Sequence, residues 1–424
     1  MSTPALHGTE AKPLDLAWVR AQFPSLQLQV NSQPAAFLDG PAGTQVPRQV
    51  ISAVQDYFLH SNANTCGAFE TSRRNDQMID SARAAMADFF RCDKEEVIFG
   101  QNMTTITFAL ARAIGRELKP GDEIVVTTLD HDANVAPWRA LEEKGVVIRQ
   151  VDIHEADCTL DLEDLKRKLT PGKTKLVAVG YASNAVGTIN PVAEITKLAH
   201  AAGALMFIDA VHYAPHGPID VRALDTDFLV CSPYKFFGPH MGTLYGKREQ
   251  LLRFQPYKVR PAPDTLPDRW ETGTQVQELI AGIGAAVDYL AELGKLHDPS
   301  PRDRRSALLA AYRATHQHEM AIFTRLLDGL QSIPGIKIFG ITDRNRFSER
   351  CSTTSVRLAN RSPKEIAAYL GDRGIFTWDG NYYALNLTER LGVETTGGLL
   401  RIGLVHYNTA DEVDRLLQNL KELA

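Results

Sequence analysis

The stretch LMFIDAVHYAPHGPIDVRALDTDFLVCSPYKFFG, residues 205–238, contains two short apolar runs that each lead into a charged side chain. Leu205–Ile208 ends at Asp209, and Phe228–Cys231 is followed by Ser-Pro-Tyr and then by Lys235. Runs of this length, bounded by turn or polar residues, are typical of buried strands. We therefore expect Asp209 and Lys235 to lie at the carboxyl ends of two successive strands.

The same alternation of amphipathic helix and apolar run extends over residues 51–248. Four earlier runs predict strands at Glu96–Phe99, Glu123–Thr127, Val146–Val151 and Lys175–Gly180. Apolar residues at three- and four-residue spacing predict helices between them at Thr104–Leu118, Asn134–Lys144, Leu162–Leu169 and Val192–Ala202. Apolar strands covered by helices on both faces predict an α/β fold with a mostly parallel sheet.

Beyond residue 276 the regular alternation of strand and helix ends. Two long helical patterns come first, at Val276–Leu293 and Arg302–Leu330. Strands are then predicted at Ile336–Phe339, Ser352–Arg357, Ile375–Trp378 and Leu399–Leu404, with helices at Lys364–Asp372 and Asp411–Leu423. We predict a large domain over residues 36–290 and a small α+β domain over 291–424, with 14–35 packed on the small domain and 1–13 as a flexible tail.

Composition and charge exclude several classes of protein. The chain has 424 residues, 44% of them hydrophobic, and a net charge of −5, which gives no global attraction to nucleic acid or to an anionic membrane. It contains no apolar run long enough to span a membrane and no signal peptide. The five cysteines are scattered and lack metal-site spacing, so we predict no metal and a reducing, cytoplasmic location.

Lys235 and Asp209 together match the needs of pyridoxal 5′-phosphate. Lys235 stands among Pro, Tyr and two Phe residues, and desolvation there lowers the pKa of an amine and favours its nucleophilic form. Asp209 at a strand end is able to hold a pyridine nitrogen protonated. The alternatives are a surface lysine with its stem on apolar neighbours and an aspartate that caps a turn.

Across nearly the whole chain, from Phe37 to the C-terminus, the sequence resembles the class V aminotransferase family of fold-type I pyridoxal-phosphate enzymes, the group of the cysteine desulfurases. The resemblance is carried by ordered motifs, which are Phe37-Leu-Asp-Gly-Pro-Ala-Gly-Thr44, Asp130-His-Asp-Ala-Asn134, Ser183-Asn-Ala-Val-Gly-Thr-Ile-Asn-Pro191, Ile208-Asp-Ala-Val-His212, Ser232-Pro-Tyr-Lys235, Glu271-Thr-Gly-Thr274 and Arg401.

The resemblance implies a role for each matching residue around the cofactor ring. Lys235 matches the Schiff-base lysine, Asp209 the partner of the pyridine nitrogen, and His131 the imidazole that stacks on the ring. Asn184 and His212 match groups near the phenolic oxygen. His212 departs from the glutamine usual in desulfurases and is a candidate acid or base.

Phosphate and substrate contacts follow from the helix pattern and from the same resemblance. The segment Gln101-Asn-Met-Thr-Thr105 opens a helix after a strand, so Asn102, Met103 and Thr104 are expected to bind phosphate, chiefly through backbone N–H groups. The resemblance adds Ser232 as a phosphate ligand. It also implies that Gly273-Thr274 reaches the neighbouring subunit's site in a homodimer. Arg401 is expected to bind the substrate carboxylate.

The main departure from the desulfurases concerns sulfur. The position of their persulfide-forming cysteine falls on Tyr383, in Trp378-Asp-Gly-Asn-Tyr-Tyr-Ala384, and the nearest substitute is Cys66 in another loop. We therefore predict an enzyme that removes the Cα proton of a small amino acid, followed by β-elimination, transamination or epimerisation, with Tyr383 and His212 deciding among these. The alternatives are a desulfurase that uses Cys66 and passes sulfur to a partner protein, and a non-catalytic cofactor-binding protein.

Overall fold

A seven-stranded sheet forms the centre of the computed structural model, which describes residues 13–300 and 302–424. The strands are β1 Val97–Gly100, β2 Glu123–Thr127, β3 Val147–Val151, β4 Thr174–Gly180, β5 Leu205–Asp209, β6 Phe228–Cys231 and β7 Gly242–Gly246. Their order across the sheet is β1-β7-β6-β5-β4-β2-β3, and only β7 runs antiparallel to its neighbours. The predicted α/β fold with a mostly parallel sheet is confirmed, and the six predicted strands lie within one residue of their expected bounds at each end.

Sequence reasoning missed β7. Its residues, Gly-Thr-Leu-Tyr-Gly, form no β-branched run and carry a glycine at each end, which depresses strand propensity. The strand is nevertheless fully buried between β6 and β1. It therefore places the carboxyl end of β1 beside the carboxyl end of β6.

Helices cover the sheet and connect it to the C-terminal part of the chain. In the first 300 residues they are Leu16–Gln22, Arg48–His60, Glu70–Phe90, Met103–Ile114, Ala136–Arg139, Leu162–Lys168, Val192–Ala201, Val221–Leu224, Arg248–Arg253 and Gln277–His297. The predicted helix at residues 134–144 is wrong as a single element, because it is divided into a four-residue α-helix and two 3₁₀ turns. Pro137 lies in the first turn of that short helix, where its missing N–H interrupts a continuous helix from residue 134.

The C-terminal part contains a four-stranded antiparallel sheet. Its strands are β8 Ile336–Phe339, β9 Thr353–Leu358, β10 Trp378–Gly380 and β11 Leu399–Gly403, in the order β8-β9-β11-β10. Its helices are Arg304–Gln331, Pro363–Gly371, Leu385–Arg390 and Ala410–Leu423. The strand predicted at residues 375–378 is wrong as one element. Ile375–Phe376 pairs in parallel with Ala36–Phe37 near the N-terminus, while Trp378 begins β10.

The N-terminal segment packs between the two parts of the chain. Trp18 stacks on Tyr289 with ring centroids 6.1 Å apart, and Arg20 donates to the Tyr407 carbonyl and to Glu412. Residues 1–12, most of the predicted tail, lie outside the described residues, and the exact domain bounds stay a prediction. No helix within the described ranges is long and apolar enough to cross a membrane.

Two long helices, Gln277–His297 and Arg304–Gln331, cross at Gly294. A Cβ atom built there would lie 1.8 Å from the Ala307 carbonyl oxygen, so Gln277–His297 and Arg304–Gln331 approach each other more closely than an alanine allows. Gly371 also lies in a helix, but a Cβ there meets nothing within 4 Å. The first glycine is thus required by packing and the second is not.

We expect Gly294→Ala to lower the free energy of unfolding by about 1–3 kcal/mol, because the added methyl forces the helices apart. Gly371→Ala is the matched control and should change it by less than about 1 kcal/mol in either direction. Urea unfolding of the two variants measures the difference, and equal stabilities would show that the crossing is not tightly packed.

Candidate active site

Lys235 lies in a short 3₁₀ turn, Pro233–Lys235, directly after β6. Its Nζ donates to the carbonyl oxygens of Pro41 and Ala42, the latter at 3.0 Å. The pKa of Lys235 is lowered to about 7, chiefly by burial and then by the positive charge of Arg401, against opposing effects of Asp209 and Asp39. The amine is therefore substantially neutral near pH 7 and available as a nucleophile.

Asp209 ends β5 on the neighbouring strand and is buried, with 7% of its surface exposed. One carboxylate oxygen accepts from the Val211 N–H at 2.9 Å. Burial raises the pKa of Asp209 to about 6, although Lys235 lowers it. A nearby cation would stabilise the ionised form of this buried carboxylate, and a protonated pyridine nitrogen is such a cation.

A second buried carboxyl group, Asp130, belongs to the same region and was missed by sequence reasoning. It accepts from the Gly180 N–H at 2.5 Å, and its Oδ2 has no hydrogen-bond partner. Burial, and then the charge of Asp209, raises the pKa of Asp130 to about 8. The sequence did contain a signal, since Asp130 is the first residue of the motif Asp130-His-Asp-Ala-Asn134.

His131 and Tyr383 come together as a stacked pair. Their ring centroids lie 5.4 Å apart at an interplanar angle of 24°, and the Tyr383 carbonyl accepts from the Asp132 N–H at 2.7 Å. His131 Nδ1 accepts from the Ala133 N–H at 3.0 Å. Burial, with the charges of Lys235 and Arg401, lowers the pKa of His131 to about 4, so its ring is neutral.

Tyr383 occupies an exposed and conformationally unusual position. Tyr382 and Tyr383 have φ angles of +56° and +60°, a left-handed conformation that is uncommon for aromatic residues. Tyr383 is 72% exposed, whereas Tyr382 is buried and its hydroxyl donates to the Leu399 carbonyl. The loop therefore presents Tyr383 at the surface next to His131.

Arg401 lies in the middle of β11, and its side chain reaches Asn184 and Tyr382. Its Nη1 donates to the Asn184 carbonyl at 2.9 Å, and its guanidinium lies 4.3 Å from the Tyr382 ring centroid. Nε has no partner, and within the described part of the chain no carboxylate lies at ion-pair distance. Burial lowers the pKa of Arg401 to about 10. A buried guanidinium without a counter-ion is suited to bind a substrate carboxylate.

Asn184 and His212 each offer a buried polar atom that lacks a partner. Asn184 donates through Nδ2 to the Tyr382 carbonyl at 2.9 Å, which leaves its Oδ1 unpartnered. His212 is 4% exposed, and its Nε2 is unpartnered. Burial lowers the pKa of His212, and the charges of His216, Arg401 and Lys235 lower it further. Buried polar atoms without partners indicate a site shaped for a polar ligand.

The helix Met103–Ile114 begins immediately after β1. The Asn102 side chain accepts from the Thr105 N–H at 2.8 Å, so it acts as the helix cap. The first-turn N–H groups of Met103 and Thr104 have no acceptor within the helix and suit an anion. Gly242 on β7 leaves room for this helix start, since a Cβ would lie 2.5 Å from the Met103 nitrogen.

Two further predicted site residues lie in an exposed loop. Gly273 has a φ of +75°, and both it and Thr274 are exposed. Glu271, just before them, forms two hydrogen bonds with Arg83 at 2.7 and 3.0 Å and accepts from the Phe99 N–H on β1. The base of the loop is therefore fixed to β1, whereas its tip faces outward.

All five cysteines are unpaired, and Cys66 is the exposed one among them. It has a φ of +63°, and its backbone N–H donates to the Asp76 carboxylate at 3.2 Å. Cys158, Cys231 and Cys351 are buried.

These residues fit pyridoxal 5′-phosphate. The largely neutral Lys235 suits the aldehyde of the cofactor, and the buried carboxyl group of Asp209, with its raised pKa, suits the pyridine nitrogen. The unpartnered atoms of Asn184 and His212 suit the phenolic oxygen. The helix start that Gly242 leaves open suits the phosphate. The fold and the site define a fold-type I pyridoxal-phosphate enzyme.

Comparison with known proteins agrees. The family model "Aminotransferase class-V" matches residues 36–416, and the chain belongs to that family, whose cofactor is pyridoxal 5′-phosphate. A cysteine desulfurase of Dickeya dadantii is 32% identical over 98% of this chain and 97% of its own length. A probable cysteine desulfurase of Synechocystis is 32% identical over 96% and 94%.

Solved structures show the same fold. The apo cysteine desulfurase of Thermococcus onnurineus matches with a TM-score of 0.85 at 27% identity, covering 97% of this chain and 98% of that one. The Escherichia coli cysteine desulfurase CsdA matches with a TM-score of 0.82 at 26% identity, covering 97% and 98%.

We expect the apoprotein to capture pyridoxal phosphate at a rate that rises with pH and reaches half its maximum near pH 7, because only the neutral Lys235 amine attacks the aldehyde. Absorbance of the yellow adduct measures the rate. Arg401→Gln should move the midpoint upward and Asp209→Asn downward, since these charges act on the lysine in opposite directions. A midpoint near the ordinary lysine value would contradict the assignment of Lys235.

Proposed function

We propose that the protein is a pyridoxal-phosphate lyase that removes the Cα proton of a small, cysteine-like amino acid and eliminates its β-substituent. The observation that carries this proposal is the loop at residues 381–384, which presents Tyr383 beside His131. The resemblance to the desulfurases implies that their persulfide-forming cysteine would stand at Tyr383. Without a thiol there, sulfur has no protein acceptor in the site and leaves as sulfide.

The bound cofactor supplies an electron sink for the pair left when the Cα–H bond breaks. Arg401 would bind the substrate carboxylate, with its unpartnered Nε among the donors, and so orient the Cα–H bond. Lys235 Nζ would accept the Cα proton. Its lowered pKa leaves about half of this amine unprotonated at pH 7.

Four other residues would control where charge and protons reside. Asp209 would hold the pyridine nitrogen protonated. The neutral His131 would stack on the ring, and Asn184 and His212 would offer hydrogen bonds to the phenolic oxygen. Transamination and epimerisation share the Cα deprotonation step and differ only in where the next proton is delivered.

We also propose that the active form is a cytoplasmic homodimer in which Gly273-Thr274 completes the neighbouring site's phosphate cradle. The exposed tip of that loop supports this arrangement. The helix Arg48–His60 also exposes apolar side chains, with Ile51, Phe58 and Leu59 between 48% and 62% exposed. Apolar side chains exposed together on one helix indicate an interaction surface. Five unpaired cysteines suit a reducing compartment.

The reaction is tested by incubating the holoenzyme with L-cysteine and with other L- and D-amino acids. We expect pyruvate and sulfide in equal amounts, and loss of both with Lys235→Ala. Cys66→Ala should leave the rate unchanged, because no thiol takes part. Alanine in place of pyruvate, with loss of activity in Cys66→Ala, would instead identify a desulfurase. A keto acid with the pyridoxamine form, or the opposite enantiomer, would identify a transaminase or an epimerase.

Shared sites are tested by mixing two inactive variants. Lys235→Ala lacks the nucleophile, and Thr274→Pro is expected to disable the loop. If each site takes its lysine from one subunit and its loop from the other, each mixed dimer contains one intact site and one doubly defective site. Each mixed dimer should then have up to about half of the activity of a wild-type dimer. Mixtures that stay inactive after subunit exchange would show that each subunit forms its own site.

A further inference from the structure

Behind His212 lies a group of buried polar side chains that the proposed chemistry does not use. His216 Nδ1 lies 2.7 Å from Glu319 Oε2, and the two side chains are 4% and 2% exposed. Glu319 belongs to the long helix Arg304–Gln331 and is 103 residues from His216 in sequence. The Ser352 hydroxyl lies 2.9 Å from the same glutamate oxygen. Burying a carboxylate beside an imidazole carries a desolvation cost, so this pair is a candidate for a functional role.

Glu319 holds His216 from one side of the imidazole ring. Its Oε2 lies at hydrogen-bond distance from both His216 Nδ1 and the Ser352 hydroxyl, which also lies 2.8 Å from the Leu404 carbonyl oxygen. A carboxylate beside an imidazole orients the ring and stabilises its doubly protonated form, which donates from both nitrogens. Glu319 therefore favours a form of His216 that is able to give up a proton from its other ring nitrogen, Nε2.

His212 lies within reach of His216. The two rings meet edge to face with centroids 5.2 Å apart, and ring nitrogens of both histidines lie within 4.8 Å of each other and of the Cys351 sulfur. One water molecule with two hydrogen bonds of about 2.9 Å spans such a separation. His212 is also close enough to Lys235 and Arg401 for both charges to act on it, so it connects the cluster to the active site.

We propose that Glu319 and His216 form a buried proton relay that supplies His212 with the proton delivered to the sulfur leaving group. This inference rests on the proposed elimination. His212 faces the site as the proton donor, His216 replaces the proton, and Glu319 is a positioning residue that acts through His216.

The relay balances the elimination from L-cysteine. Lys235 takes the Cα proton, the Cβ–S bond breaks, and sulfur leaves with the bonding electron pair. The relay protonates that sulfur, and hydrolysis of the remaining three-carbon enamine gives pyruvate and ammonia. Lys235 then releases the Cα proton to solvent and the relay takes up one proton from solvent, so both groups return to their starting state and no oxidant or reductant is needed.

The same cluster also has the composition of a metal site, with two histidines and Cys351 converging. A metal ion there requires Cys351 as a thiolate, but burial raises the pKa of that thiol, and the charge of Glu319 raises it further. The relay needs no thiolate. Cys351 is therefore the residue that separates the two interpretations.

The first test compares two substrates that differ in their leaving group. The sulfur of L-cysteine leaves as hydrosulfide, which is far more basic than chloride, so proton transfer to sulfur assists its departure, whereas chloride leaves β-chloro-L-alanine without such assistance. In Glu319→Gln, which keeps the shape and removes the charge, we expect the ratio of initial elimination rates, L-cysteine over β-chloro-L-alanine, to fall at least roughly tenfold, because general acid catalysis typically contributes roughly 10²–10⁴-fold. Cys351→Ala, the matched control in the same cluster, should leave the ratio within about twofold of wild type.

An unchanged ratio in Glu319→Gln would overturn the relay. So would an equal fall in Cys351→Ala accompanied by one zinc ion per subunit in the wild-type protein. Wild-type protein that eliminates from neither substrate would refute the proposed function, and the relay is then decided by a measurement that needs no substrate.

That measurement is proton NMR of the protein without substrate. A buried imidazole N–H bonded to a carboxylate gives a far-downfield resonance that exchanges slowly with water. We expect one such resonance in wild type, its loss in both Glu319→Gln and His216→Asn, and a shift in His212→Gln that reports coupling between the two histidines. Absence of the resonance in the folded wild type, or no response to His212→Gln, would overturn the relay.

Discussion

The burial of charged groups at the carboxyl end of the central sheet is the constraint on which the rest of this structure depends. Lys235 lies in the turn after β6, Asp209 ends β5 and Arg401 lies within β11, and burial of each group weakens the stabilisation of its charge by water. The protein therefore shifts the pKa of each group away from its ordinary value, lowering those of the cations and raising that of the acid. Bound cofactor and substrate supply the opposite charges that this arrangement lacks.

The architecture follows from that constraint. Asp209 and Lys235 end neighbouring parallel strands, so they face the same cleft, while Arg401 comes from the second sheet. The loop at residues 381–384 contacts the His131 segment, and the carbonyl groups of Pro41 and Ala42 accept from Lys235. Because these groups come from different parts of the chain, the chemistry of the site requires the two sheets to be fixed relative to each other.

Sequence patterns predicted the parallel strands and the residues at their ends, because buried strands leave apolar runs and strand-end residues stand at fixed offsets from them. They could not predict β7, whose burial comes from its neighbours rather than from its own residues. They also could not predict the stack of Tyr383 on His131, or the contact between His216 and Glu319, since these depend on tertiary packing between segments more than 100 residues apart. Asp130 was within a recognised motif, but its significance depends on the burial it shares with Asp209.

The short parallel pair of Ala36–Phe37 with Ile375–Phe376 has a consequence for biosynthesis. The Leu38 carbonyl accepts from the Gly403 N–H, and Phe37 is held by Asn408, so this early segment is fixed by residues among the last 50 of the chain. Pro41 and Ala42, which bind the Lys235 amine, follow it directly. On a translating ribosome the lysine and its sheet emerge well before the segment that fixes these carbonyl groups. The catalytic cleft is therefore completed only at the end of synthesis, and a chain that terminates early has a lysine without its proper surroundings.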